Sequence, residues 1–208
     1  MVELPTGKMK SREGTVVDAD DMVDTMIQLA KEQTEQAGKT EGFSEAELMA
    51  LYRMIGLGAL KFYLLRVDPK KKMIFNPQES IDLHGFTSTF VQYAHARICS
   101  ILRKEKDWVK IAQPDTAIPV SGYERDMIIE LDNYTQVIKS AAQEYNPSLI
   151  CNYAFHLAQL FNTFYDQHSI SKEENVHAKQ VRMFIITQTA KTLKHAMHLL
   201  GIDLPEKM

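Results

Sequence analysis

An all-α fold is predicted by three observations. Apolar residues recur at helical spacing through most of the chain, helix-start and helix-stop signals bracket those stretches, and strand-like alternation is nearly absent. The predicted elements fall into a short helical stem section followed by an antiparallel α-helical bundle. With 208 residues, 45% of them hydrophobic and 25% charged, the chain can bury a sizeable core and lacks the composition of a disordered protein.

The residues up to Val17 read as loop, punctuated by Pro5, Gly7 and Gly14. Asp18 or Asp20 caps a helix that runs to about Gln36, with Met22, Val23, Met26, Ile27 and Ala30 as its apolar stripe. Ser44-Glu45-Ala46-Glu47 is a capping-box pattern and opens a second helix that reaches Leu65. Gly56 and Gly58 lie inside it. Each costs about 1 kcal/mol of helix stability against alanine, which suits a bend or a close helix crossing. Asp68-Pro69 breaks the chain, Lys70-Lys71-Lys72 is a solvated run, and Met73-Ile74-Phe75 reads as a short strand ended by Asn76-Pro77.

Helical periodicity resumes near Thr87 and lasts to about Lys104, with Phe90, Val91, Ala94, Ile98, Ile101 and Leu102 on one broad face. Asp107 to Pro119 is a connector. Ser121 and Glu124 form a second capping box opening a helix with Met127, Ile128 and Leu131, and a separate helix is expected over Tyr134 to Glu144. Asn146-Pro147 supplies a cap and a first-turn proline for a helix that reaches about Gln167, with Ile150, Tyr153, Ala154, Leu157, Phe161 and Phe164 inward. A long last helix covers about Val176 to Leu200, with Gly201 as its stop and Pro205 beyond.

Composition bounds the function. A net charge of -3 does not announce a nucleic-acid binder, yet a local basic face can coexist with it. Cys99 and Cys151 sit far apart in apolar helical patterns and read as buried thiols, which favours a reducing compartment. Met1 to Pro5 lacks the basic-then-apolar pattern of a signal peptide, and no unbroken run of about 18 apolar residues predicts a membrane span. His195 and His198 are three apart, but no third ligand at zinc spacing accompanies them, so no metal site is expected.

Two segments carry chemistry. Lys8, Lys10 and Arg12 place three cations in five residues, among Gly7, Ser11 and Gly14. Such a loop can donate to phosphate oxygens and act on charge developing at a departing pyrophosphate. Composition alone favours the plainer reading, a basic terminus without a site. Phe90, Tyr93 and Arg97 are three and four apart, so they share a helix face. Two aromatic rings beside a guanidinium make a stacking platform for unpaired bases. Spacing alone favours the alternative, with Phe90 in the core and Arg97 in a surface ion pair.

These segments, in this order, resemble arginyl-tRNA synthetases, members of the class I aminoacyl-tRNA synthetases. Leu4 to Val17 is similar to the KMSKS loop in its arginyl form, with Lys10 where serine is usual and Arg12 ending the motif. Gly58 to Leu65 resembles the family's GALRYxxL helix, a structural stem. Gly85 to Arg97 resembles the phrase GxTGPYxQYxxARI, with Thr87 kept and Ser88-Thr89-Phe90 in place of Gly-Pro-Tyr. Phe90 therefore lacks the hydroxyl of the family tyrosine. Asn152 to Tyr165 resembles the helix YLxxLAxxFNxFY, and Leu199 to Met208 resembles the terminus LLGIxxPExM.

The resemblance implies roles. Lys8, Met9, Lys10, Ser11 and Arg12 would form the loop that stabilises ATP during amino-acid activation. Phe90, Tyr93, Arg97, Phe161, Tyr165 and Met208 would meet the tRNA anticodon, with a core role equally open for Phe161. The resemblance covers essentially the whole chain and corresponds to the C-terminal third of such an enzyme, because no HIGH signature and no strand–helix alternation occur. A fragment is expected: residues 1–84 as the end of the catalytic region and 85–208 as a DALR-type anticodon-binding bundle. The full enzyme would be a cytoplasmic, monomeric arginine–tRNA ligase, joining arginine to tRNA(Arg) with ATP and Mg²⁺. The fragment would be inactive alone, with no cofactor bound, and would meet ATP and arginine only through the missing core. An apolar surface is expected near Leu57 to Leu65, where that core would pack. Two other readings stand beside this one. A free-standing helical RNA-binding module would have no need of the KMSKS-like loop. A helical scaffold without RNA would tolerate replacement of Tyr93 and Arg97.

Overall fold

The computed structural model describes residues 2–3, 18–38, 40–105, 120–168 and 170–208. The cationic loop from Lys8 to Arg12 and the connector from Asp107 to Pro119 lie outside the described residues. Seven helices and one two-stranded parallel pair make up the described fold.

The stem is built from α1 (Ala19–Gln36) and α2 (Glu45–Leu65). Asp18 caps α1 by accepting from the amide of Asp20, and Met26, Ala30 and Thr34, four apart, are its buried line. At the start of α2, the Ser44 amide donates to Glu47 Oε2 across 2.7 Å while Ser44 Oγ accepts from the Glu47 amide, completing the capping box. The two glycines of α2 are close crossings rather than a bend. A Cβ on Gly56 would stand 2.7 Å from the backbone oxygen of Met26, and one on Gly58 would stand 2.7 Å from Gln92 Nε2. α2 thus touches α1 at Gly56 and the bundle at Gly58.

α2 also has the length and mean hydropathy, 1.4, of a membrane-crossing segment, which counting unbroken apolar runs overlooked. Half of its most apolar stretch is buried inside the fold, so its apolar residues serve the core. The expected apolar surface at Leu57 to Leu65 is not there: Leu57, Leu60, Leu64 and Leu65 are each partly buried, and the exposed large apolar side chain of α2 is Met49. After α2, β2 (Met73–Ile74) pairs in parallel with β1 (Val2–Glu3), two residues that the sequence reading placed in a loop. A one-turn helix, α3 (Pro77–Ser80), follows with Asn76 as its cap. Phe75 and Ile81 are fully buried against α1 and α2.

The bundle comprises α4 (Ser88–Lys104), α5 (Gly122–Glu144), α6 (Ser148–Gln167) and α7 (Val176–Leu199). α5 is one continuous helix, not the two expected. No glycine or proline divides it, and Tyr134, where the second was to begin, stacks on Tyr153 of α6 with centroids 5.0 Å apart. Neighbouring contacts give the directions. Phe90 meets Phe155 and Arg97 meets Asn162, seven residues on in each, so α4 and α6 run in the same sense. Tyr134 meets Tyr153 and Tyr123 meets His168, so α5 runs against α6. α7 lies antiparallel to α4, its Lys179 paired with Glu105 at 2.8 Å. The core of the bundle includes Val91, Ile98, Met127, Leu157, Phe161, Phe164, Met183, Ile186 and Leu193, all essentially without exposure. Gly201, at φ +68°, turns the chain after α7 in the left-handed region where glycine carries no Cβ penalty. The tail from Ile202 to Met208 then runs back along α4.

Candidate nucleic-acid interface

Three of the residues singled out in the sequence meet where α4 lies beside α6. Thr87 caps α4 by accepting from the amide of Phe90, which fixes the rotation of its first turns. Tyr93 and Arg97 then follow on one face. The Arg97 guanidinium lies 4.7 Å from the Tyr93 ring centroid and 5.2 Å from that of Tyr165 on α6. Its Nη1 donates to Asn162 Oδ1 across 2.9 Å. Among the described residues no carboxylate pairs with Arg97, so its charge faces two aromatic rings and an amide oxygen. Tyr165 is 38% exposed, leaving a ring and a hydroxyl open to a ligand.

Phe161 and Phe90 stand apart from this group. Phe161 is fully buried and presents no face to solvent. Its ring lies 6.0 Å from that of Tyr165, which it supports from beneath. Of the two roles open for it, burial supports the core. Phe90 is partly buried and turns to Phe155, 4.9 Å away, in an aromatic cluster that also takes in Phe86 and Phe62. The shared helix face holds for Tyr93 and Arg97, while Phe90, one turn earlier, meets a different neighbour on α6.

Met208 is remote in sequence but close in space. Together with Tyr93 it lines an apolar hollow whose other walls include Ala30 and Thr34 of α1, Ala37 at its C-cap, Ile55 of α2, Leu83 and Thr89 of α4. It is a small recess, with a cavity volume of about 50 Å³. Beyond Gln33 and Leu83, which border both, a polar groove continues past Gln36, Gln78, Glu79, Asp82 and His84. An aromatic face, a held guanidinium, an apolar hollow and a rim of amides and carboxylates suit stacking and edge-on hydrogen bonding of unpaired bases. The Cys99 thiol lies 3.8 Å from the His95 ring on α4, but burial raises the thiol's pKa and lowers that of the imidazole, so the two are not poised as nucleophile and base. Burial pushes the Cys151 thiol up to about 12, and it also raises that of half-buried Cys99. No cluster of three or more His, Cys, Asp or Glu side chains occurs among the described residues.

Asn162 and the α1 wall of the hollow were missed in the sequence. Asn162 is three residues before Tyr165 and so shares its helix side, a spacing that could have marked it. The α1 wall had no local signal, since it depends on how the stem docks.

A helical bundle that carries such a face has the make-up of an RNA-contacting module. Residues 91–208 match the DALR anticodon binding domain, and the chain belongs to that family. Over its whole length it is 47% identical to arginine–tRNA ligase of Phocaeicola vulgatus and 48% identical to that of Flavobacterium psychrophilum. It spans about a third of the length of these curated relatives, 35% and 34%. Among solved structures, the arginyl-tRNA synthetase of Thermus thermophilus superposes with a TM-score of 0.88 at 28% identity, covering 100% of this chain and 34% of that one. The arginyl-tRNA synthetase from Plasmodium falciparum shares the fold, with a TM-score of 0.77 over 93% of this chain and 34% of its own.

Proposed function

We propose that this chain is the anticodon-reading end of an arginine–tRNA ligase. Unpaired bases of the tRNA(Arg) anticodon loop stack on the Tyr93–Arg97–Tyr165 face and enter the hollow beside Met208. The observation that carries this reading is the guanidinium that faces two tyrosine rings, one of which, Tyr93, also lines an apolar hollow. Arginine and tyrosine planes stack on every base, and each base–aromatic contact contributes about 1–3 kcal/mol. Phe161 acts from beneath, through Tyr165, and Phe90 acts through the packing of α4 on α6.

In the same reading, residues 1–84 belong to the end of a catalytic region and 85–208 form the anticodon-binding unit. The Lys8–Arg12 loop serves ATP, with Mg²⁺, in a catalytic core supplied by the rest of the enzyme, which works as a cytoplasmic monomer. Alone, this chain binds tRNA and does not join arginine to it.

Fluorescence anisotropy with an arginine tRNA, beside the same tRNA with altered anticodon bases, tests the reading. Tyr93→Ala and Tyr165→Ala should each weaken binding of the intact tRNA by about tenfold or more, given the stacking energies above. Equal binding of intact and altered anticodons by the parent chain would overturn it.

A further inference from the structure

The tail from Gly201 to Met208 is gripped by side chains at four of its carbonyls, and each donor comes from α2 or α4. Lys61 Nζ donates to the Gly201 oxygen across 2.5 Å, and Gln92 Nε2 to the Asp203 oxygen across 3.0 Å. His95 Nδ1 lies 2.9 Å from the Pro205 oxygen, and Arg103 Nη1 donates to the Glu206 oxygen across 2.7 Å. Between these bonds Ile202 and Leu204 are buried in the bundle core. Lys207 donates to the Gly42 oxygen across 2.6 Å and lies over the Phe43 ring, which carries the tail from the bundle to the stem. Met208 then packs against the stem cluster and lines the hollow with Tyr93.

Two of the four donors are fastenings placed at a cost. Gln92 is without exposure, and its Oε1 is buried with no hydrogen-bond partner. An apolar side chain would avoid that desolvation, so the amide is not there for packing alone. Its Nε2 also donates to the Met54 oxygen of α2, tying stem, bundle and tail at one atom. His95 is 2% exposed and directed at Pro205. Both stand on α4, next to or two residues from Tyr93.

We propose that Gln92 and His95 are positioning residues for base recognition: by holding the Asp203 and Pro205 carbonyls they seat Met208 beside Tyr93 and set the depth of the hollow. The helix that carries the stacking face thereby also fixes the wall opposite. This rests on the anticodon reading above, and the test separates the two.

Amide hydrogen exchange of residues 201–208 in the free protein reads the grip without RNA. His95→Leu, which removes the donor, should speed exchange there at least tenfold. His95→Asn, which keeps an N–H near the Nδ1 position, should stay near the parent rate. Lys61→Met with Arg103→Met loosens the exposed ends of the grip without touching the core, and should also speed exchange. Anisotropy then compares intact and altered anticodons. His95→Leu should lose the preference for the intact anticodon to the extent that Met208→Ala does, and combining the two should cost nothing further. Unchanged exchange in both the His95→Leu and the lysine–arginine variants overturns the grip. Faster exchange with the preference intact, or losses that add, overturns the positioning role. If Met208→Ala itself keeps the full preference, the role assigned to Met208 in the anticodon reading fails and the positioning role with it, whatever the exchange shows of the grip.

Discussion

Arg97 on α4 donates to Asn162 on α6 across 2.9 Å, and this bond sets the plane of a guanidinium that faces Tyr93 and Tyr165. A charged side chain with four free torsions would otherwise spread over many rotamers and lose that freedom on binding a base. The amide holds it in advance.

Asn162→Ala should therefore weaken binding of an arginine tRNA without unfolding the protein. Each cation–π contact contributes about 0.5–1 kcal/mol at an accessible site. Losing the alignment to two rings predicts roughly a tenfold loss. Arg97→Lys keeps the charge but not the planar fork, and should lose about as much. The double variant should be no worse than Arg97→Lys alone, because Asn162 acts through the guanidinium. Anisotropy checks the binding, and thermal unfolding should move by less than about 3 °C. Additive losses would mean that Asn162 touches the RNA itself.

The crossing at Gly56 gives a prediction of opposite character. A Cβ there meets the Met26 carbonyl oxygen at 2.7 Å and the Ile27 amide nitrogen at 2.9 Å, both backbone atoms that cannot rotate away. Gly56→Ala gains about 1 kcal/mol of helix propensity. It also overpacks the α1–α2 contact, which costs typically about 1–3 kcal/mol. The net effect should be destabilising by up to about 2 kcal/mol, read as a lower urea midpoint. A more stable variant would mean that α1 can slide.

What could be read in the sequence was local. The Ser44 and Ser121 capping boxes, the Asp18 cap and the Gly201 stop each involve residues within a few positions of one another, and each stands in the structure as expected. The break expected between Leu131 and Tyr134 failed because it took no account of the packing of Tyr134 on Tyr153 of α6. The site was legible where two members share a helix, as Tyr93 and Arg97 do. The partners of Phe90, the α1 wall of the hollow and the grip on the tail depend on how helices dock. Lys61 and Gly201 are 140 positions apart, and Gln92 and Asp203 are 111 apart, distances over which no periodicity reports.

Acid stability should depend on Glu124. Burial alone would raise its pKa, but Arg182 at 2.7 Å, with the Ser121 amide and hydroxyl, holds it below the ordinary carboxylate value. A group held lower in the folded state contributes stability above its unfolded pKa and loses it as pH falls through the folded one. The loss should therefore fall below about pH 4.5, the ordinary glutamate value. Arg182 also pairs with Glu173, so it joins the start of α5, the loop before α7 and α7 itself. Arg182→Met leaves a carboxylate that is 5% exposed without its cation, and should cost about 3–5 kcal/mol at pH 7. The urea midpoint between pH 3 and 7 checks both points. A flat profile for the parent chain would show that the pair adds nothing to folding.

His95 predicts a second pH dependence, in a window the carboxylates do not reach. Burial lowers its pKa below 6.5, outweighing the Pro205 carbonyl, which raises it. Of the charges near it, Lys194 lowers it further and Glu206 raises it, and the Cys99 sulfur 3.8 Å away is held as a thiol. The unfolded chain thus takes up a proton at this residue before the folded one does. Stability from His95 is complete above its unfolded pKa and declines as pH falls through 6.5 towards the folded value, with a slope of at most about 1.4 kcal/mol per pH unit for one proton. His95→Asn keeps a donor for Pro205 and cannot be protonated, so its urea midpoint should change less between pH 7.5 and 5.5 than that of the parent. The protonated ring still carries its Nδ1 hydrogen, so the cost arises from the buried charge and not from a lost bond. Equal pH profiles for the two proteins would show that the imidazole is not the group that senses acid here.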